Sequence, residues 1–254
     1  MKNYKAKKSL GQNFLKSEAA LRKIVEAGEI KFDDVILEIG PGKGVLTEKL
    51  LKVAGRVIAV EKDQELFEFL KIKFVKEIDT GTLVIVHGDI LEFEVASYKV
   101  KSYKIIANIP YNITGAILKK FLSGEVQPEL MILMVQQEVA ERIVARDGKE
   151  SILSVSVKAY SEPKMIMRVG KRYFSPAPKV DSAIISIKNI SREFFIKNRL
   201  NEERFWQIVK KGFAHKRKKL AGNLAGMISS TSSENLGNKR AEDLTLSEWV
   251  KLAQ

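Results

Sequence analysis

Short apolar runs alternate with amphipathic stretches along the first three-quarters of the chain, regularly enough to predict its elements one by one. Val35-Ile-Leu-Glu-Ile-Gly40, Arg56-Val-Ile-Ala-Val-Glu61, Thr82–Val86 and Lys104-Ile-Ile-Ala107 are runs of branched side chains that predict buried strands. Helical spacing fills the gaps. Ser17 is placed to cap a helix through about Ala27, with Leu21, Ile24 and Val25 as its apolar face. Further helices are predicted from Val45 to about Val53 and from Gln64 to about Lys76. A helix over Thr114–Leu122, a strand near Leu130–Val135 and a helix from Gln137 to about Arg146 continue the alternation. Strands joined through helices predict parallel pairing with right-handed crossovers, an α/β doubly wound sheet. Val155–Ala159, Met165–Val169 and Ala183–Ile187 are predicted as strands too; no long helix separates the last two, which predicts an antiparallel edge. Beyond Lys188 the pattern is helical only, with helices expected over Glu202–Phe213, Lys216–Met227 and Leu246–Ala253. The chain is therefore expected to divide near Lys188–Ser191 into a larger α/β domain, 1–188, and a small all-α domain, 189–254.

Composition narrows the function classes. With 254 residues and 45% hydrophobic side chains the chain can build a sizeable core. No apolar run approaches the ~20 residues that span a bilayer. Met1–Lys8 lacks the apolar core of a signal peptide, and there is no Cys, so a cytoplasmic location is expected. Two His and no Cys leave little for a metal site, and none is expected. The net charge of +13 is uneven: Met1–Lys23 carries +6, Lys188–Gln254 carries +7, and the stretch between is neutral. Two basic ends on a neutral body point to a polyanion such as nucleic acid, against the bland reading of a generally charged surface.

Candidate chemistry gathers where strands end. Gly40-Pro-Gly-Lys-Gly44 lies between a strand and a helix, where glycines admit a ligand close to the backbone. It lacks both the dinucleotide fingerprint and the Gly-Lys-Ser/Thr ending of a P-loop. Glu61 follows Gly40 by twenty-one residues at the end of the second strand, where an acid can accept from both hydroxyls of a ribose. A nucleoside site without a pyrophosphate fingerprint fits S-adenosylmethionine. Asp89, ending the third strand, either accepts from the adenine amino group or caps the following turn. Asn108-Ile-Pro-Tyr111 ends the fourth strand, and by itself reads more readily as a strand-ending turn. Beside a methyl donor it has a sharper meaning. The Asn108 side-chain oxygen and the Ile109 carbonyl, held stiffly by Pro110, can accept both N–H bonds of an adenine amine. That would turn the nitrogen lone pair toward the methyl group, with Tyr111 stacked on the base.

Two later stretches keep two readings each. Phe174-Ser-Pro-Ala-Pro-Lys-Val180 is a stiff loop whose aromatic is either the far side of a base slot or a core Phe. Phe213-Ala-His-Lys-Arg-Lys-Lys219 opens a predicted helix and is either a solvated charged face or a set of phosphate contacts.

Taken in order, these stretches resemble the ribosomal RNA adenine N6-dimethyltransferases, and within them the bacterial small-subunit type. The resemblance rests on Leu10-Gly-Gln-Asn-Phe-Leu15, Leu37-Glu-Ile-Gly-Pro-Gly-Lys-Gly-Val-Leu-Thr47, Glu61, Gly88-Asp89 and Asn108-Ile-Pro-Tyr-Asn-Ile-Thr114. It continues through Phe174–Ser182, Phe213–Leu220 and Arg240-Ala-Glu242, so it covers nearly the whole chain. It implies a Rossmann-like class I methyltransferase sheet carrying a helical RNA-binding domain. It implies dimethylation of two adjacent adenosines in the 3′-terminal hairpin of small-subunit rRNA, on the immature 30S particle, by a monomer that takes part in subunit biogenesis. It assigns Asn13, Leu15, Gly40, Gly42, Glu61, Asp89 and Asn108 to S-adenosylmethionine. Asn108, Ile109, Pro110 and Tyr111 become catalytic residues, and Tyr111 and Phe174 target-base contacts. Lys5, Lys7, Lys8, Lys216, Arg217, Lys218 and Lys219 are the expected RNA-binding cations. Gly40-Pro41-Gly42 favours the small-subunit type, since the similar large-subunit methylases usually read Gly-Ser-Gly there. Two alternatives stand beside this reading: a DNA adenine methyltransferase, and a nucleic-acid-binding factor that kept the fold without the catalysis.

Overall fold

The computed structural model describes residues 5–98, 100–146, 148–215, 217–229 and 236–254, without the side chain of Lys8. Its strands are β1 Phe14–Leu15, β2 Val35–Ile39, β3 Arg56–Glu61, β4 Leu83–His87, β5 Lys104–Asn108, β6 Leu130–Gln136, β7 Glu162–Val169, β8 Phe174–Ser175 and β9 Ser182–Lys188. Seven of them form one sheet in the order β4-β3-β2-β5-β6-β9-β7. β4, β3, β2, β5 and β6 run parallel, and β9 returns antiparallel to β6, from Met131 opposite Ile187 to Gln136 opposite Ser182.

This sheet is buried on both faces, as a parallel sheet must be. Ile105, Ile106 and Ala107 of β5 and Met131 to Val135 of β6 have no solvent exposure. The helix Glu18–Ala27 contributes Ala20, Leu21 and Ile24 to the same core, and Ser17 caps it by accepting from the Ala20 N–H at 3.2 Å. Helices Val45–Leu50 and Gln64–Lys73 make the crossovers from β2 to β3 and from β3 to β4. After β4 the chain crosses back to β5, on the far side of β2. The winding direction therefore reverses between β2 and β5. At such a reversal, loops leaving neighbouring strands diverge and open a crevice at the carboxyl edge.

The chain divides into two compact units. The sheet unit runs to Ala140 and resumes at Lys164–Ile190; the second unit is Glu141–Pro163 with Ser191–Gln254. The second unit thus takes in a segment that a single boundary near 188 assigned to the α/β domain. Within it, Val155–Ala159 is not the expected strand but part of the helix Ile152–Lys158. Its alternating Ser and Val misled the period-2 reading. Ser151 and Ser154 cap each other's backbone N–H groups, and Val155 and Val157 bury their side chains.

The remaining second-unit helices are Glu193–Lys197, Glu202–Gly212, Leu220–Asn223 and Leu246–Ala253. Phe194, Phe195, Phe205, Trp206 and Tyr160 form an aromatic cluster with neighbouring ring centroids 4.9–6.3 Å apart. Of the helix expected over Lys216–Met227, the described residues form only Leu220–Asn223, and Lys216 lies outside them. The basic run therefore precedes a helix instead of opening one. No helix among the described residues is long and apolar enough to cross a membrane.

Candidate active site

A cavity opens at the carboxyl edge of β2, β3, β4 and β5, lined by Ser9–Leu15, Gly40–Lys43, Glu61, Asp89 and Asn108–Ile113, among others. The crevice at the reversal point is thus filled from three sides by residues singled out in the sequence. Gly40 and Gly42 turn the chain through left-handed conformations, φ +64° and +60°, open to glycine at little cost. A Cβ on Gly42 would also stand 3.1 Å from the Phe14 ring, so the loop lies directly against the N-terminal segment.

Glu61 is 5% exposed, yet it is not orphaned. One carboxylate oxygen accepts from the Gly42 N–H at 3.0 Å and the other from the Asp63 N–H at 2.9 Å. Burial pushes its pKa up, and these backbone donors oppose the rise. Each oxygen keeps a further lone pair, which suits the paired hydroxyls of a ribose.

Asp89 takes the capping one of its two readings and also reaches the cavity. Its Oδ1 accepts from the Leu91 N–H at 2.9 Å, closing the turn, and its Oδ2 accepts from Lys62 Nζ at 2.6 Å while the residue lines the cavity. The hydrogen bond from Lys62 holds its carboxyl below the usual range.

Asn108 is the last residue of β5, in register with Met134. Its Nδ2 donates to the Asn13 carbonyl at 3.2 Å. Only an NH2 can donate to a carbonyl, so the amide is oriented and its oxygen is left as an acceptor. Ile109 is 2% exposed, so its side chain is core and its contribution to the cavity is the backbone. No hydrogen bond to the Ile109 carbonyl occurs among the described residues. Pro110 holds φ −61° and ψ 126°, and Tyr111 begins a short 3-10 turn through Ile113. The Tyr111 hydroxyl hydrogen-bonds Ser182 Oγ, which steadies the ring, and burial raises its pKa to about 12. The phenol is therefore neutral in ordinary buffers.

Other predicted residues fall elsewhere. Leu15 and Phe174 face each other across the antiparallel pair of β1 and β8. Leu15 lines the cavity, but Phe174 is 2% exposed, does not line it, and packs in the core. In this structure the ring is a wall support and not an open stacking face. Lys7 is not an available cation: its ammonium lies 2.8 Å from Asp63 and 2.9 Å from Glu65. Lys5, Arg217, Lys218 and Lys219 are exposed, whereas Lys216 and the side chain of Lys8 lie outside the described residues.

Sequence reasoning missed Glu38, a 1%-exposed acid in the middle of β2 that also lines the cavity. Thr47 donates to it at 2.7 Å, and burial, with a smaller push from Glu61, raises its pKa to about 8. The signal was a lone acid inside the apolar run Val35–Ile39. Gln12 and Asp63 were missed as well; each pairs with a residue remote in sequence.

The chain is similar to known proteins along its whole length. A family model described as ribosomal RNA adenine dimethylase matches residues 3–253. The ribosomal RNA small subunit methyltransferase A of Dehalococcoides mccartyi strain BAV1 is 42% identical, covering 98% of this chain and 87% of its own. The same-named protein of Fusobacterium nucleatum is 38% identical, covering 98% and 97%. Among solved structures, a dimethyladenosine transferase from Plasmodium falciparum superposes with a TM-score of 0.80 at 26% identity, covering 94% of this chain and 95% of that one. The 23S rRNA methyltransferase ErmE gives 0.76 at 26% identity, covering 94% and 98%.

Proposed function

Because the chain belongs to the ribosomal RNA adenine dimethylase family, we propose that it transfers methyl groups from S-adenosylmethionine to N6 of two adjacent adenosines in the 3′-terminal hairpin of small-subunit rRNA. The observation that carries this reading is the Asn108 amide, which lines the cavity and is held by the Asn13 carbonyl so that its oxygen is left as an acceptor.

When bound, the cofactor supplies an electrophilic methyl on a sulfonium. Everything else is positioning by this chain. The Asn108 oxygen and the free Ile109 carbonyl accept the two N–H bonds of the adenine amine and draw its lone pair out of conjugation with the ring. Tyr111 offers its face to the base, a contact worth roughly 1–3 kcal/mol. Glu61 would hold the ribose and Asp89 the adenine amine of the cofactor, and Gly40 and Gly42 would admit it to the backbone. Asn13 and Leu15 line the same cavity. Transfer would exchange the sulfonium S–C bond for an N–C bond, and the proton left on the substrate nitrogen would be acidic enough to pass to water. A general base is not needed, since orientation alone supplies ~7–11 kcal/mol in well-placed systems.

The natural substrate in this reading is the immature small-subunit particle, met by a monomer in the cytoplasm. Arg217, Lys218 and Lys219, with Lys5, would hold RNA phosphates and leave sequence to the flipped bases. The test is mass mapping of methylated adenosines after incubating the protein with unmethylated small-subunit particles and labelled S-adenosylmethionine. Label on two neighbouring adenosines, as dimethyl groups, is the expected result. Transfer to duplex DNA but not to the particles would overturn the reading.

A further inference from the structure

Glu61, Lys62 and Asp63 are consecutive at the end of β3, and each is tied to a different wall of the cavity. Glu61 accepts from the Gly42 loop and Lys62 donates to Asp89. Asp63 reaches the N-terminal segment. Its Oδ1 accepts from Lys7 Nζ at 2.8 Å and its Oδ2 from Gln12 Nε2 at 2.8 Å. Gln12 Oε1 accepts in turn from the Lys7 N–H at 2.7 Å, so residues 7 to 12 close on β3 through a ring of hydrogen bonds. Asp63 is 3% exposed, and a carboxylate so buried is tolerable only when paired. The same segment is anchored at its other end. A Cβ on Gly11 would stand 2.9 Å from Asn112 Oδ1, and the next residue but one, Asn13, presents the carbonyl that orients Asn108.

We propose that Asp63 is a positioning residue: by latching Lys7 and Gln12 it holds residues 7–13 as the closing wall of the cofactor site and fixes the Asn13 carbonyl against the Asn108 amide. This rests on the functional reading above for the identity of the ligand, but the latch stands on geometry alone. It also gives Lys7 a role other than phosphate contact. Residues 9 to 15 line the cavity, so the latch holds one of its walls.

The latch is chemically specific. Asp63 also caps the helix Gln64–Lys73 by accepting from the Glu65 N–H at 3.0 Å. Asp63→Asn keeps that cap, since Asn serves as well at this position. It replaces Oδ2 with an NH2 that faces the Gln12 NH2, and turning Gln12 over would set its NH2 against the Lys7 N–H. Either arrangement puts donor against donor. Lys7→Met removes the ammonium from a half-exposed position and leaves Asp63 with Gln12 and the Glu65 N–H as its partners.

The experiment compares wild type, Lys7→Met, Lys7→Arg and Asp63→Asn by calorimetric titration with S-adenosylmethionine in the absence of RNA. Hydrogen exchange over residues 7–15 of the free proteins is measured alongside. Lys7→Met and Asp63→Asn are expected to bind cofactor roughly tenfold more weakly and to exchange faster over 7–15. Unpairing Asp63 in Lys7→Met should lower the unfolding midpoint, but that loss is shared by the whole sheet unit, whereas the faster exchange is expected over 7–15 in particular; Lys7→Arg should restore binding, exchange and midpoint. Unchanged cofactor binding and exchange in Lys7→Met, with only RNA affinity reduced, would overturn the proposal and make Lys7 an RNA contact. If wild type fails to bind the cofactor, the functional reading is what falls; the exchange comparison still decides whether the latch exists.

Discussion

The proposed function gives Asn108 two tasks on one amide. Its NH2 is bonded to the Asn13 carbonyl; its oxygen is left as an acceptor, which the proposed function assigns to the substrate amine. Asn108→Ala deletes both while removing a side chain from a cavity wall and not from the core. We expect turnover to fall by at least roughly 10²–10³-fold, the scale of losing one preorganised polar group, with RNA affinity nearly unchanged. Single-turnover kinetics beside filter binding measures both; a large affinity loss with normal turnover would sink the catalytic assignment. Glu38 makes a different prediction. In the unfolded chain its carboxyl titrates near 4.5, and in the folded protein burial raises this to about 8. Between these values the folded state holds a proton that the unfolded state does not, so this contribution to stability is complete below about 4.5 and is lost as pH rises through about 8. Glu38→Gln keeps an acceptor for Thr47 and removes the titration. Its stability relative to wild type is expected to rise steadily across that window, as urea unfolding at a series of pH values would reveal; parallel profiles would count against it. These residues also mark what a sequence reveals. Asn108, Gly40 and Glu61 stood out because an amide, a glycine or an acid at a strand's end is poor core material. Asp63 and Gln12 did not, because their meaning lies in each other and they are 51 residues apart.

The elements were legible wherever one period dominated. β2, β3 and β5 are dominated by short apolar runs, and the Ser17 cap announced its helix. Failure came where two periods competed, as in Ile152–Lys158, or where an element is defined only by its partner. β1 and β8 are two residues each and exist because Phe14 faces Ser175 and Leu15 faces Phe174. That pairing is also why Phe174 is core, a fact that its neighbouring prolines conceal. In the second unit, tight packing leaves a clear mark at Gly212, the last residue of the helix Glu202–Gly212. A Cβ there would stand 2.5 Å from the Trp249 ring, and Trp249 has no solvent exposure. Gly212→Ala gains helix propensity but overpacks this contact, which typically costs about 1–3 kcal/mol. Denaturant unfolding should show the net loss; a variant as stable as wild type would mean that the indole can move aside.

At the scale of the whole molecule, charge is the property that sequence reports directly and local geometry then edits. Two basic ends on a neutral middle predicted a polyanion, and the family acts on ribosomal RNA. The geometry removes Lys7 from the set of available cations, since Asp63 and Glu65 already neutralise it. It leaves Arg217, Lys218 and Lys219 exposed, and none of them has a carboxylate partner among the described residues. A cation already paired within the protein releases few counterions from RNA when it meets a phosphate, whereas an unpaired one releases its full share. Salt dependence therefore distinguishes the two kinds. Replacing Arg217, Lys218 and Lys219 by Gln is expected to weaken RNA binding and to flatten the slope of log affinity against log salt by about 0.7–0.9 for each phosphate no longer neutralised. Lys7→Met should change that slope by far less. Affinities measured across a salt series with a small-subunit hairpin RNA decide between them. A slope unchanged by the triple substitution would mean that these cations are solvated surface and that the second unit meets RNA elsewhere. A slope that falls for Lys7→Met as steeply as for a single member of the triple set would mean that the N-terminal segment unlatches to reach the substrate.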